Sequence, residues 1–114
     1  MARFENLVVW RKAQDLAVAA DAVAARLRYD AADQLRRSAA SVADNIAEGC
    51  ERGTDADFAR FVGIASGSCA EAQSQLRRAQ RLGVDASALI DQAQQIQWML
   101  AALRRRLTAA PGAG

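Results

Sequence analysis

The chain has 114 residues, 52% of them hydrophobic, with 15 Lys or Arg against 13 Asp or Glu and a net charge of +2; this suits one domain with a real core and is too little for two. Histidine is absent, which removes Ser-His-Asp and Cys-His triads, histidine-ligated zinc and the Glu-x-x-His signature of ferritin-like bundles. The basic side chains are nearly all arginine, whose forks suit carboxylates and phosphates alike, so the balance permits nucleic acid without demanding it.

Abundant alanine, few aromatics (5%) and a single proline, Pro111, favour helices that approach one another closely. Four helical segments follow from apolar residues spaced three and four apart. The first spans 7–28, with Val9, Ala13, Leu16, Ala20, Val23 and Leu27 as its seam and Asn6 as N-cap. The second spans 31–52 and carries Leu35, Ala39, Val42, Ile46 and Gly49, with Asp30 and Asp33 as a weak capping-box start. Gly53 is placed to end it in a left-handed conformation, and Thr54 to cap the third helix, with Asp57 in the first turn. That helix, 55–82, aligns Phe58, Val62, Ala65, Cys69, Ala72, Leu76 and Ala79. Gly83 and Asp85 repeat the stop-and-cap arrangement before the fourth helix, 86–107, with Leu89, Ala93, Ile96, Leu100, Leu103 and Leu107. Short connections make neighbours antiparallel. The expectation is an all-α, up-down-up-down four-helix bundle over 1–114, with a flexible tail at 108–114. No apolar run approaches the ~20 residues that span a bilayer, and MARFENLVVW has no targeting pattern. The expected setting is cytoplasmic, without a membrane partner, and Cys50 and Cys69 are expected as reduced core thiols.

The stretch SVADNIAEGCERG, 41–53, resembles a site at first sight. On a helix it divides into faces. Val42, Ile46 and Gly49 join the core, Ala43 and Ala47 form a small-residue face with Ala40, and Arg37, Ser41, Asn45, Glu48 and Arg52 form a polar stripe. Glu48 and Arg52 stand in the favourable i, i+4 order. A polar contact across a helix or subunit interface is the leading reading, with a solvated face next. Catalysis is last, since nothing supplies a neutral-pH base or a strong nucleophile. The third helix carries Gly63 and Gly67 in its interior, each costing roughly 1 kcal/mol relative to alanine; a close helix crossing is the expected compensation. Glu71 completes this stretch, and neither it nor Glu48 belongs to a metal-ligand pattern.

The arginines cluster as Arg36-Arg37, Arg77-Arg78 with Arg81, and Arg104-Arg105-Arg106. They serve either solubility and helix C-termini or phosphate binding, and a ring of subunits multiplies them into a basic belt. Trp10, Phe61, Ile64 and Trp98 sit off the main seams, and large apolar residues outside a core mark a further contact surface. Self-association is the expectation drawn from them, with wider seams as the alternative.

Phe4-x-x-Leu7-x-Val9-Trp10-x-Lys12-Ala13, the run from Gln34 to Gly49 containing N-I-A-E-G, and Phe58-x-Arg60-Phe61-x-x-Ile64-Ala65-x-Gly67-Ser68-x-x-Glu71 together resemble the four-helix bundle proteins encoded in intervening sequences of bacterial 23S ribosomal RNA genes. The resemblance runs from residue 4 to about residue 82, and the fourth helix matches only in periodicity. It implies a cytoplasmic bundle that assembles as a homopentamer, with no enzymatic activity attached to the family; no cofactor, metal or small-molecule substrate is expected. It also implies kinship with the nucleic-acid-binding accessory protein of diversity-generating retroelements. The chain departs from the family in a short connection at Arg28-Tyr29-Asp30 and in Cys50, where an aromatic is usual. The function expected is a scaffold that binds RNA or an RNA-associated protein through arginine surfaces; the alternative is a protein–protein adaptor without nucleic-acid contact.

Overall fold

A computed structural model describes residues 3–109. A 3-10 turn at Arg3–Asn6 leads into α1 (Val8–Ala24), α2 (Tyr29–Glu51), α3 (Asp55–Arg81) and α4 (Ser87–Thr108). Each helix packs on the next, and α1 meets α4 to close the square. Cross-helix contacts fix the directions. On α2 and α3, Ser38 meets Gln75, Ser41 meets Ser68 and Gly49 meets Phe61. On α3 and α4, Gly63 meets Arg104, Ser66 meets Gln97 and Cys69 meets Ala93. One number rises as the other falls, so both pairs are antiparallel. The result is a four-helix bundle measuring 51 × 26 × 20 Å.

The core is the set of seams read from spacing. Leu16, Leu35, Val42, Ile46, Val62, Leu76, Ile96 and Leu100 are fully buried. Between them lie the alanines Ala13, Ala20, Ala39, Ala43, Ala65, Ala72 and Ala93, also buried, whose short side chains let the helix axes come close. Leu27, Leu89 and Leu107 are partly buried at the helix ends and pack against this cluster. Val84 and Ala86, in the last connection, add two buried residues that periodicity could not assign. Cys50 and Cys69 are buried and form no disulfide with each other, and Cys69 Sγ donates to Ala93 O at 3.3 Å. Burial pushes the Cys69 thiol up to about 11.

Helix ends follow the sequence at two of three connections. Gly53 adopts φ +90 and Gly83 φ +88, the left-handed conformation that stops α2 and α3. Thr54 caps α3, its side chain accepting from Asp57 N. Asp85 Oδ1 accepts from the backbone N–H of Ser87 at 3.0 Å and from its hydroxyl at 2.8 Å. These two bonds hold the Asp85 carboxyl below its ordinary range. The Ala86 N–H is taken by the side-chain oxygen of Gln80.

The first connection differs from expectation. Helix α1 stops at Ala24 rather than near residue 28, because Arg26 and Leu27 turn back to Val23 O and Ala24 O in three-residue steps. Arg28 is then extended, at ψ 157, and opens α2. Asp30 and Asp33 therefore form no capping box. Asp30 lies in the first turn, where the helix dipole favours an acid, and Asp33 binds Arg37 at 3.1 Å. Asn6 closes the 3-10 turn instead of capping α1, and Leu7 holds the N-cap position without a side-chain bond. Of the tail expected at 108–114, Thr108 is the last residue of α4; residues 110–114 lie outside the described residues.

Candidate nucleic-acid interface

The stripe on α2 is a joint between α2 and α3. Asn45 Nδ2 donates to Ser41 O at 2.8 Å and to Ser41 Oγ at 2.9 Å. Ser41 Oγ lies 2.9 Å from Ser68 Oγ across the interface. One turn earlier the buried Ser38 hydroxyl reaches Gln75 Oε1 at 2.5 Å. Asn45 and Glu48 thus take partners on their own helix, and Ser41 makes the crossing.

Glu48 pairs with Arg52 at 3.0 Å, and the Arg52 guanidinium lies 4.9 Å from the centre of the Phe61 ring. Arg60 covers the same ring at 4.5 Å and reaches Asp57 at 3.9 Å. Phe61 is held close because α2 carries glycine beneath it. A Cβ added at Gly49 would stand 2.6 Å from Phe61 Cβ. The close crossing expected at Gly63 and Gly67 is therefore at Gly49. Gly67 faces open space, and Gly63 lies under the Arg104 guanidinium, whose Cζ would be 3.3 Å from an added Cβ. Glu71 is exposed beyond this joint.

The eight clustered arginines do not form one patch. Arg36 and Arg37 are engaged by acids, Arg36 with Asp21 of α1 at 3.2 Å and Arg37 with Asp33. Arg77, Arg78 and Arg81 surround a groove near the C-terminal end of α3 with Ser74 and Leu82. Arg104 and Arg105 line the groove between α3 and α4 at the opposite end of the bundle, and Arg106 follows them in the last turn of α4. Among the described residues, none of these six has a carboxylate at ion-pairing distance. All six are exposed. From Arg60, which borders the α3–α4 groove, to Arg77 is about 25 Å along α3.

The four apolar residues expected at a subunit contact divide in the same way. Phe61 is 9% exposed and belongs to the α2–α3 joint. Trp10 is partly buried, packs on the core and meets Phe4 edge-on at 5.1 Å. Phe61 is a correction, since a seam wider than the main spacing absorbs it; Trp10 leans on the core and keeps part of its surface exposed. Ile64 and Trp98 remain exposed, Trp98 at 66%. Spacing alone missed Arg60 and Gly63 as groove residues and the hydroxyl links at Ser38 and Ser68. A mid-helix glycine was the available signal for Gly63, but its neighbour on α4 is a tertiary fact.

Comparison with protein-family models gives a match to the 23S rRNA-intervening sequence protein over residues 5–102. The chain belongs to that family. The match continues past residue 82 into α4, further than the motifs alone carry it. Among curated proteins the chain has no match. The motif stretches of this 23S rRNA-intervening sequence protein family member resolve into architecture: N-I-A-E-G fixes the α2–α3 joint, and Ser68 of G-S-x-x-E supplies the hydroxyl that Ser41 meets. Among the described residues, no three His, Cys, Asp or Glu side chains gather where a metal could be held, and no helix is long and apolar enough to cross a membrane.

Proposed function

We propose that the protein is a non-enzymatic, cytoplasmic scaffold that associates with itself and binds RNA through arginines on α3 and α4. The observation that carries this reading is the set Arg77, Arg78, Arg81, Arg104, Arg105 and Arg106, exposed and without carboxylate partners among the described residues. Unpaired guanidinium groups take phosphates at little cost, because no existing ion pair has to break, and each contact releases counterions from the nucleic acid. Arg36 and Arg37, already facing Asp21 and Asp33, contribute less.

Family membership supports an association with ribosomal RNA genes, and the resemblance implies a homopentamer. In a ring of subunits, two arginine grooves per chain become a repeated basic surface, which raises the local concentration of RNA by its field. Exposed Trp98 and Ile64 supply apolar area for contact between subunits. No cofactor or small-molecule substrate enters this reading.

Gel-shift titration with a structured RNA at low and at higher salt tests it. A shift at low salt that weakens steeply as salt rises is the expected result. No shift at low salt contradicts RNA binding and favours the second reading, a protein–protein adaptor, for which exposed Trp98 is the supporting observation.

A further inference from the structure

Gly63 sits in the interior of a 27-residue helix, where glycine costs roughly 1 kcal/mol relative to alanine. Its backbone is not straining, and no helix crosses it closely. What lies over it is the Arg104 guanidinium of α4, with Cζ, Nη2 and Nε at 3.3, 3.4 and 3.6 Å from the position a Cβ would take. Three atoms of one planar group at nearly equal distance mean that the fork presents its face to the position a Cβ would take on α3. A Cβ at position 63 would make it give by a few tenths of an ångström, and a larger side chain would lift it. Arg104 thus crosses from α4 to α3 and divides an open groove. One side, about 550 Å³, is lined by Ala56, Arg60, Ile64 and Thr108. The other, about 470 Å³, is lined by Ser66, Ala101, Arg105 and Thr108. Arg104 borders both, and neither it nor Arg105 has a carboxylate partner among the described residues.

We infer that this α3–α4 groove is a phosphate-binding site, in which Gly63 seats the Arg104 fork so that Arg60, Arg104 and Arg105 act together on the phosphodiester backbone of RNA. The identity of the phosphate carrier rests on the RNA reading above; the seat itself rests on the Gly63–Arg104 geometry. A guanidinium resting on α3 keeps its outward N–H groups for bidentate bonds to phosphate oxygens. Guanidinium groups suit carboxylates as well, and Arg60 already faces Asp57 at 3.9 Å; what disfavours an acidic peptide is that the open groove offers no deep apolar pocket to anchor a side chain.

The test uses the full chain, a fluorescein-labelled RNA hairpin and fluorescence anisotropy across a salt series. Arg104→Ala is expected to lower the log–log salt slope by about 1. Gly63→Leu, which changes no charge and favours helix, is expected to weaken RNA binding about tenfold, the scale of one charge-assisted bidentate contact. Circular dichroism confirms that each variant keeps its helices. Wild-type RNA binding that neither substitution changes overturns the site and leaves the RNA reading standing. If wild type binds no RNA, inorganic pyrophosphate titrated against the Arg104 Nε–Hε NMR signal decides: a saturable shift, lost in Gly63→Leu, keeps the phosphate site with a smaller carrier, and no shift overturns it. Tighter binding of a poly-glutamate peptide than of RNA also overturns the phosphate assignment.

Discussion

At Gly49 the space left for a side chain is already filled, since Phe61 Cβ would lie 2.6 Å from an added methyl and Phe58 Cδ1 3.1 Å from it. The Phe61 Cβ cannot swing away without moving the α3 backbone. Gly49→Ala is therefore expected to destabilise the fold by about 1–2 kcal/mol in urea unfolding, overpacking outweighing the gain in helix propensity. Cys69 makes a pH prediction. Its thiol is raised from 9.0 to about 11 by burial. The folded state thus holds the proton more tightly than the unfolded chain, and the associated stability is intact below pH 9 and lost as pH rises toward 11. The stability gap between wild type and Cys69→Ala should stay constant at neutral pH and narrow across that window in thermal melts; a constant gap up to pH 11 contradicts it. The sequence marks Gly63 and Gly67 as unusual and places Gly49 in the core seam, yet spacing cannot say which helical glycine meets the close crossing, which a guanidinium and which solvent. That depends on the rotation of α2 and α4 about α3.

At the scale of elements, the three connections separate what local chemistry decides from what it does not. Gly53-Thr54 and Gly83 with Asp85 are legible because a left-handed glycine and a side-chain oxygen act within a few residues. Thr54→Ala should cost about 1 kcal/mol, read by chemical denaturation, because it strips the partner from the Asp57 N–H. The Ala25–Arg28 turn has no such marker, so the apolar rhythm carried the expected first helix through Leu27. Seams were legible because burial repeats every three or four residues. The polar stripe was legible as a stripe, while the cross-helix links were not: Ser68 lies 27 residues from Ser41, and Gln75 lies 37 from Ser38, which is outside the stripe.

For the whole molecule, the arginine clusters were legible as clusters, but their distribution needed the fold. Antiparallel packing carries Arg77, Arg78 and Arg81 to one end and Arg104, Arg105 and Arg106 to the other, while Asp21 and Asp33 draw in Arg36 and Arg37. For the proposed RNA binding, two basic grooves at opposite ends of one slender bundle favour a long polyanion over a compact one. The self-association proposed above belongs to the same scale. Ile64 is 44% exposed, and with Trp98 it is what remains of the four off-seam residues. Trp98→Glu should dissociate the oligomer while leaving the helical signal of circular dichroism unchanged, because Trp98 lies outside the core; an unaltered oligomer in analytical ultracentrifugation removes Trp98 from the interface.

Size-exclusion chromatography with light scattering, run on the protein mixed with a structured RNA at low and at higher salt, tests assembly and RNA binding together. The expected result is a protein multimer carrying RNA at low salt and the same multimer without RNA when salt is raised. A monomer at micromolar concentration, or RNA eluting apart from the protein at low salt, would contradict it.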